Sequence, residues 1–378
     1  MLMPPFTNAM ACLLRRLAAG AGLLLAALAL FSESERFALP VHPSLSESSE
    51  LPFFKALPVP SEFPEFPAPT AIPYLPAYPV SISSPWRRPG GDSLTILFTG
   101  DVMLGRDVAK VIRYSGAESL FTPSVDSAFA SADAVVANLE CPATDVESPL
   151  NKRFVFRADP AVLPVLTRHG ITHMNLANNH SIDQGREGLA DTRRRISAAG
   201  MTPVGYGDND AEACRPVLIG GGPRPVYLLA SLRVMSENYV ALTDRPCVCE
   251  ASPARLCDTI RALKSREPDA CVIVCLHWGA EHTLHPMAGQ RHEARMLIRA
   301  GADAIVGHHS HTAQDVETVA GRPVFYSLGN FIFDLDRPLN RRGLLARITV
   351  TASGITFGVI ETEIEGCRPR VTGRVEKE

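Results

Sequence analysis

Between residues 94 and 361, short apolar runs alternate with longer stretches in which apolar positions recur at helical spacing. The runs at 94–99, 134–137, 171–177, 226–230, 270–276, 302–306 and 324–327 are brief and rich in β-branched residues, which predicts buried strands. Stretches at 122–132, 160–169, 186–199, 253–266 and 289–300 predict helices between them. Residues 343–350 and 355–361 predict a closing hairpin that turns around Gly354. Strands interleaved with helices define an α/β domain in two layers or a sandwich, and 92–365 accommodates it without internal repeats.

The first ninety residues follow a different rule. Arg15-Arg16 precedes an unbroken apolar run, 17–31, and no acidic residue occurs before Glu33. Fifteen apolar residues after two arginines suit a signal segment or a short membrane anchor, with the arginines on the cytoplasmic side and the catalytic domain outside. Ala27-Leu28-Ala29 is a weak cleavage signal, which favours an anchor over export after cleavage. Prolines then punctuate the chain as far as Pro89; their fixed φ and missing amide donors oppose helix and central strand. The expected organisation is a signal or anchor segment at 1–31, a Pro-rich linker at 32–91, the domain at 92–365 and a C-terminal tail at 366–378.

Composition narrows the chemistry. The 378 residues carry a formal charge of -3 with 46% hydrophobic residues, so a sizeable core is available and nothing electrostatic points to nucleic acid. Of nine cysteines, Cys247, Cys249 and Cys257 lack a fourth partner and the rhythm of a zinc finger. Cys271 and Cys275 read as core, Cys141 has no partner that would make it a nucleophile, and disulfide pairing is open. Gly220-Gly221-Gly222 lacks the lysine and hydroxyl of a phosphate-binding loop.

Metal-capable polar residues instead recur just after the apolar runs, the arrangement of a catalytic centre built from strand ends. Asp101 follows 94–99; Glu140 follows 134–137 with Asn138 on the same face. Asn178-Asn179-His180 follows 171–177, and Asp183 either orients His180 or caps the next helix. His277 follows 270–276, with Glu281 beyond it as a proton-transfer or supporting group. Residues 302–306 deliver Gly307-His308-His309-Ser310-His311, in which His309 and His311 are the preferred ligands. Arg106 either faces an anionic substrate or lies at the surface.

Taken together, Gly100-Asp101 through Arg106, Asn138-Leu139-Glu140, Asn178-Asn179-His180 with Asp183, His277-Trp278-Gly279 with Glu281, and Gly307 through His311 resemble the bacterial CapA poly-γ-glutamate capsule biosynthesis family, itself similar to calcineurin-like metallophosphoesterases. The resemblance implies a four-layer α/β/β/α sandwich with one or two divalent metal ions, for which manganese, iron or zinc would serve. It implies Asp101 and His311 at one metal, Asn179, His277 and His309 at the other, Glu140 between them, and His180 assisting an oxyanion. Met103 stands where the wider pattern has histidine, and Glu140 where it has aspartate. The function implied is membrane-associated synthesis or export of poly-γ-glutamate or a related capsule polymer, with a capsule synthase or export complex as partner. A metal-dependent phosphoesterase or other hydrolase, and a polymer-binding assembly protein without turnover, are the alternatives. The corresponding ligands are an anionic polymer or a phosphoester-like substrate, and no nucleic acid.

Overall fold

The computed structural model describes residues 91–377 apart from 221 and 241. The expected 1–31 segment and all of the 32–91 linker except Gly91 lie outside the described residues. In chain order the strands are β1 (Ser93–Val102), β2 (Ala134–Leu139), β3 (His173–Asn175), β4 (Thr202–Val204), β5 (Tyr206–Gly207), β6 (Val217–Leu218), β7 (Val226–Leu232) and β8 (Cys247–Val248). They continue as β9 (Cys271–His277), β10 (Ala304–His308), β11 (Val316–Val319), β12 (Arg322–Phe325), β13 (Asn330–Ile332), β14 (Arg342–Thr351), β15 (Ile355–Glu365) and β16 (Arg368–Lys377). One sheet has the order β16-β15-β14-β1-β2-β3-β4 with β13 beside β1; a second runs β11-β12-β10-β9-β7-β6; β5 pairs with β8 alone.

Side-chain alternation assigns the layers. Leu97, Val135 and Ala137 point out of the first sheet onto Val108 of α1 (Arg106–Ser115), Val125 and Phe129 of α2 (Pro123–Ala130), Val165 of α3 (Leu163–Arg168) and Ile196 of α4 (Gly185–Ala198). Their neighbours Ile96, Phe98 and Val136 point the other way and meet Leu228, Ile273, Cys275 and Val306 of the second sheet. That sheet's remaining face, with Tyr227, Leu229, Val272, Val274 and Ile305, is covered by two helices. Following the short α5 (Asp210–Ala213), these are α6 (Pro253–Arg266) and α7 (Ala288–Ala300). The four layers α/β/β/α implied by the resemblance are therefore the architecture observed. Covering both faces explains why these strands are apolar throughout. Each buried Val, Leu or Ile contributes about 1.5–3 kcal/mol, so one-residue slippage of a strand is strongly opposed.

The predicted hairpin is β14 antiparallel to β15. The expected tail, by contrast, is strand β16, paired with β15 from Phe357↔Lys377 to Glu365↔Arg368. Its charged sequence suits a sheet edge, where one face is wet, and an edge strand of this kind carries little apolar signal. Helix α1 is not apparent from the sequence either, since only Val108 among its residues is buried.

Strands β1, β2, β3, β7, β9 and β10 run parallel within their sheets. His308 Nε2 lies 3.0 Å from the Thr99 carbonyl oxygen, joining the carboxyl ends of β10 and β1 across the two sheets. The chemistry-bearing residues gather at that end.

Candidate metal centre

Asp101 is the penultimate residue of β1, at an irregularity in its pairing register, and is fully buried. Asn138, on the neighbouring strand, donates from Nδ2 to Asp101 Oδ1 at 2.8 Å, and its own Oδ1 accepts from Asn175 at 3.1 Å and Asn178 at 3.2 Å. This amide chain under the site fixes Asp101 so that Oδ2 faces His311 Nδ1 at 3.4 Å. Asn138 and Asn175 are visible as amides inside apolar runs, but their supporting role follows only from strand pairing.

Glu140 lies just past the end of β2 and His277 ends β9. Glu140 Oε1 is 3.5 Å from His277 Nε2 and 3.6 Å from His311 Nε2. His277 Nε2 is also 2.8 Å from Asn179 Oδ1 and 3.1 Å from His309 Nδ1. Two ligand groups result, Asp101-Glu140-His311 and Glu140-His277-His309, with Glu140 common to both. Asn179 adjoins the second through His277.

The histidines after β10 are not delivered by strand pleating. The strand stops at His308, and His309 and His311 have φ of 94° and 54°. Left-handed backbone at non-glycine residues costs about 1–3 kcal/mol each and gathers at functional sites. Here it turns both imidazoles toward Glu140. His311 Nδ1 is also 2.9 Å from Asn330 Oδ1.

Whether a metal suits these residues is decided by Glu140. Both of its carboxylate oxygens are buried and neither has a hydrogen-bond partner among the described residues. A buried carboxylate that accepts no hydrogen bond is costly to keep charged, and a metal cation would offset that cost. With imidazole, carboxylate and amide oxygen donors around it, the set fits a divalent ion of the manganese, iron or zinc type.

Protonation in the absence of an ion follows from burial and mutual charge. Burial pushes Glu140 well above the usual carboxylate range, and the Asp101 charge adds to it. Burial opposes charge on His311 too, but Glu140 and Asp101 together push this imidazole up to about 10. Burial and the His309 charge push His277 far down; burial, with His311, lowers His309 to about 4. For Asp101, burial acts upward, yet its His311 bond and the surrounding imidazoles hold it well below the ordinary value.

His180 stands beside this centre. Its Nδ1 is 2.8 Å from Asp183 Oδ2, and its ring lies 4.3 Å from that of Phe156. Asp183 also accepts from the Phe156 amide and from Lys152 Nζ. Lys152 has no sequence signal, because the contact joins a loop at 152 to a turn at 183. Burial lowers His180 below an ordinary imidazole, with Asp183 opposing.

Other sequence candidates take positions outside the two ligand groups. Glu281 is exposed, 3.8 Å from His282 Nε2, and belongs to neither ligand group. Arg106 opens α1, pairs with Asp334 at 3.0 Å and covers the Phe156 ring at 5.4 Å. Met103 packs among Leu104, Val108 and Leu139 in the helix-side core. Burial pushes the Cys141 thiol up to about 12, which removes it as a nucleophile. Cys249, considered above for a metal cluster, is bonded to Cys214.

The four layers and a buried carboxylate between two imidazole-bearing groups at the strand ends define an α/β/β/α sandwich with a candidate two-metal centre. Residues 95–335 match the family model described as bacterial capsule synthesis protein PGA_cap, and the chain belongs to that family. The PGA biosynthesis protein CapA of Bacillus subtilis (strain 168) is 32% identical over 284 residues, covering 74% of this chain and 73% of its own. The capsule biosynthesis protein CapA of Bacillus anthracis is 28% identical over 305 residues, 78% of this chain and 73% of its own. A solved 5'-nucleotidase precursor from Thermus thermophilus aligns with 75% of this chain and 53% of its own, at 14% identity and a TM-score of 0.40.

Proposed function

We propose that the chain acts in the synthesis or export of poly-γ-glutamate or a related anionic capsule polymer, as a divalent-metal hydrolase. The polymer is suggested by the names of the two Bacillus relatives. The hydrolase reading rests on Glu140, whose two buried oxygens accept no hydrogen bond and lie between two sets of ligands.

Asp101, Glu140 and His311 would hold one ion, and Glu140, His277, His309 and Asn179 the other. Such ions supply Lewis acidity and neutralise charge developing on a phosphoryl or acyl oxygen. Around them the chain's own groups have distinct work. Asp183 accepts the Nδ1 proton of His180, which leaves His180 Nε2 to exchange a proton with a leaving group or to bind an oxyanion. Lys152 holds Asp183 in place, and Phe156 restricts water on one side of the ring.

The proposed setting is the outer side of the cytoplasmic membrane, beside a capsule synthase or export complex. Arg15-Arg16 with the apolar run at 17–31 supports this, as does the Cys214–Cys249 disulfide, a bond expected outside the cytoplasm. Among the described residues no helix is long and apolar enough to cross a membrane.

The deciding experiment incubates the metal-loaded full-length protein with phosphoesters and with poly-γ-glutamate. Turnover that is lost with a chelator and in His180→Ala is expected. Polymer binding without turnover of either class would replace the hydrolase with an assembly protein.

A further inference from the structure

His282 has little positional support in the sequence, yet it takes a distinct position at the centre. Its φ is 59°, and its backbone N–H donates to the Ser310 carbonyl at 2.7 Å, which ties it to the histidine loop. Its ring centroid is 6.1 Å from that of His311, and 37% of its side chain is exposed. It therefore stands at the mouth of the Asp101-Glu140-His311 group.

Asn340 determines which ring nitrogen carries the proton. Asn340 Nδ2 donates to the His311 carbonyl oxygen at 2.7 Å, which fixes the amide's orientation. The same nitrogen is 3.1 Å from His282 Nδ1. An amide nitrogen has no acceptor capacity, so Nδ1 must accept and the neutral ring carries its proton on Nε2. Glu281 Oε2, at 3.8 Å from Nε2, is too distant to take that hydrogen bond. Glu281 adds negative charge and Arg337 positive charge at the same ring.

His180 has the opposite polarity, since its Nδ1–H donates to Asp183 Oδ2 and leaves Nε2 as the acceptor. We infer that His282 is a substrate-binding donor that presents Nε2–H to an anionic phosphoryl oxygen at the metal centre, with Asn340 as its positioning residue. The inference rests on the hydrolase reading for its substrate class.

Orthophosphate binding to the metal-loaded full-length protein, measured by calorimetry, tests it without turnover. His282→Gly suits the left-handed backbone; it should weaken phosphate binding about tenfold, the effect of one hydrogen bond to a charged group, at unchanged metal content. His282→Gln, which restores a side-chain N–H, should recover part of that loss. Wild-type affinity in His282→Gly, or no phosphate binding by the metal-loaded wild type, would overturn the assignment. Phosphate binding that depends on His282 in a protein with no turnover would keep His282 as the donor and remove only the hydrolase reading.

Discussion

The ammonium of Lys152 sits on Asp183 Oδ1, and both side chains are almost wholly withdrawn from solvent, 3% and 0% exposed. Lys152 also donates to the Asn179 carbonyl at 2.7 Å. One cation thus fixes the carboxylate that orients His180 and the backbone of a proposed metal ligand. The ion pair connects the loop above the site to the turn that forms it.

Lys152→Met should expose the cost of that arrangement. The methionine fills the space, but Asp183 then keeps a buried negative charge with only neutral donors around it. Removing one partner of a buried pair costs about 3–5 kcal/mol. A lowered urea midpoint is expected, with a fall in any His180-dependent turnover beyond what lost folding explains. An unchanged midpoint would mean that Asp183 is satisfied without the lysine.

Gly307 is a residue at which the histidine loop is acutely sensitive to size. A Cβ there would stand 2.0 Å from the Tyr326 carbonyl oxygen and 2.6 Å from Trp278 Nε1. Neither can retreat, because Tyr326 O accepts from Trp278 at 2.9 Å within the core. Gly307→Ala should therefore lose about 1–3 kcal/mol or more, the order seen for overpacked cores. Gly354→Ala meets nothing within 4 Å and should be near neutral. Equal thermal midpoints for the two variants would contradict this account.

These residues also mark what the sequence could reveal. Strands β1, β2, β7, β9 and β10 of the two central sheets were legible because burial on both faces makes them apolar, as with 270–276 and β9. Asp101, Glu140, His277 and the two histidines of the 307–311 loop were legible because a polar residue at the end of such a run has little structural reason to be there. Lys152 and Asn340 were not, since each acts across tens of residues through a contact that no periodicity encodes. Short elements failed for a related reason: β5, β6 and β8 have two residues each, too few to show a period. Strand β16 failed because its partner, β15, and not its own composition makes it a strand.

The Cys214–Cys249 bond closes a sequence separation of 35 that contains β6, β7 and β8. A bridge of that span stabilises by about 3–4 kcal/mol on loop-entropy grounds. The double variant Cys214→Ala/Cys249→Ala should lose stability of that order, and reduction of the denatured wild type should release two additional thiols. Failure to release them would show that the pair is reduced, and would remove one of the two supports for an external setting.

Metal uptake should depend on pH, with a sign fixed by the imidazoles. His277 and His309 are held low, so near pH 7 both are neutral and one ion can enter their group without displacing an imidazole proton. His311 is raised to about 10 by its carboxylate neighbours and is protonated at that pH. An ion at Asp101-Glu140-His311 must therefore expel at least one proton, and its affinity should rise roughly tenfold per pH unit until the pH approaches about 10. Titration of chelator-stripped protein in two buffers of different ionisation heat measures the released proton directly. The expected result is two classes of site that both strengthen with pH, because Glu140 is raised by burial and common to them, with the His311 class the steeper from about pH 6 to about pH 9 because an imidazolium proton leaves as well. In Glu140→Gln the shared carboxylate is gone, so both classes should weaken together. Two equivalents bound with no pH dependence would mean that His311 is not displaced, and would separate it from the metal centre.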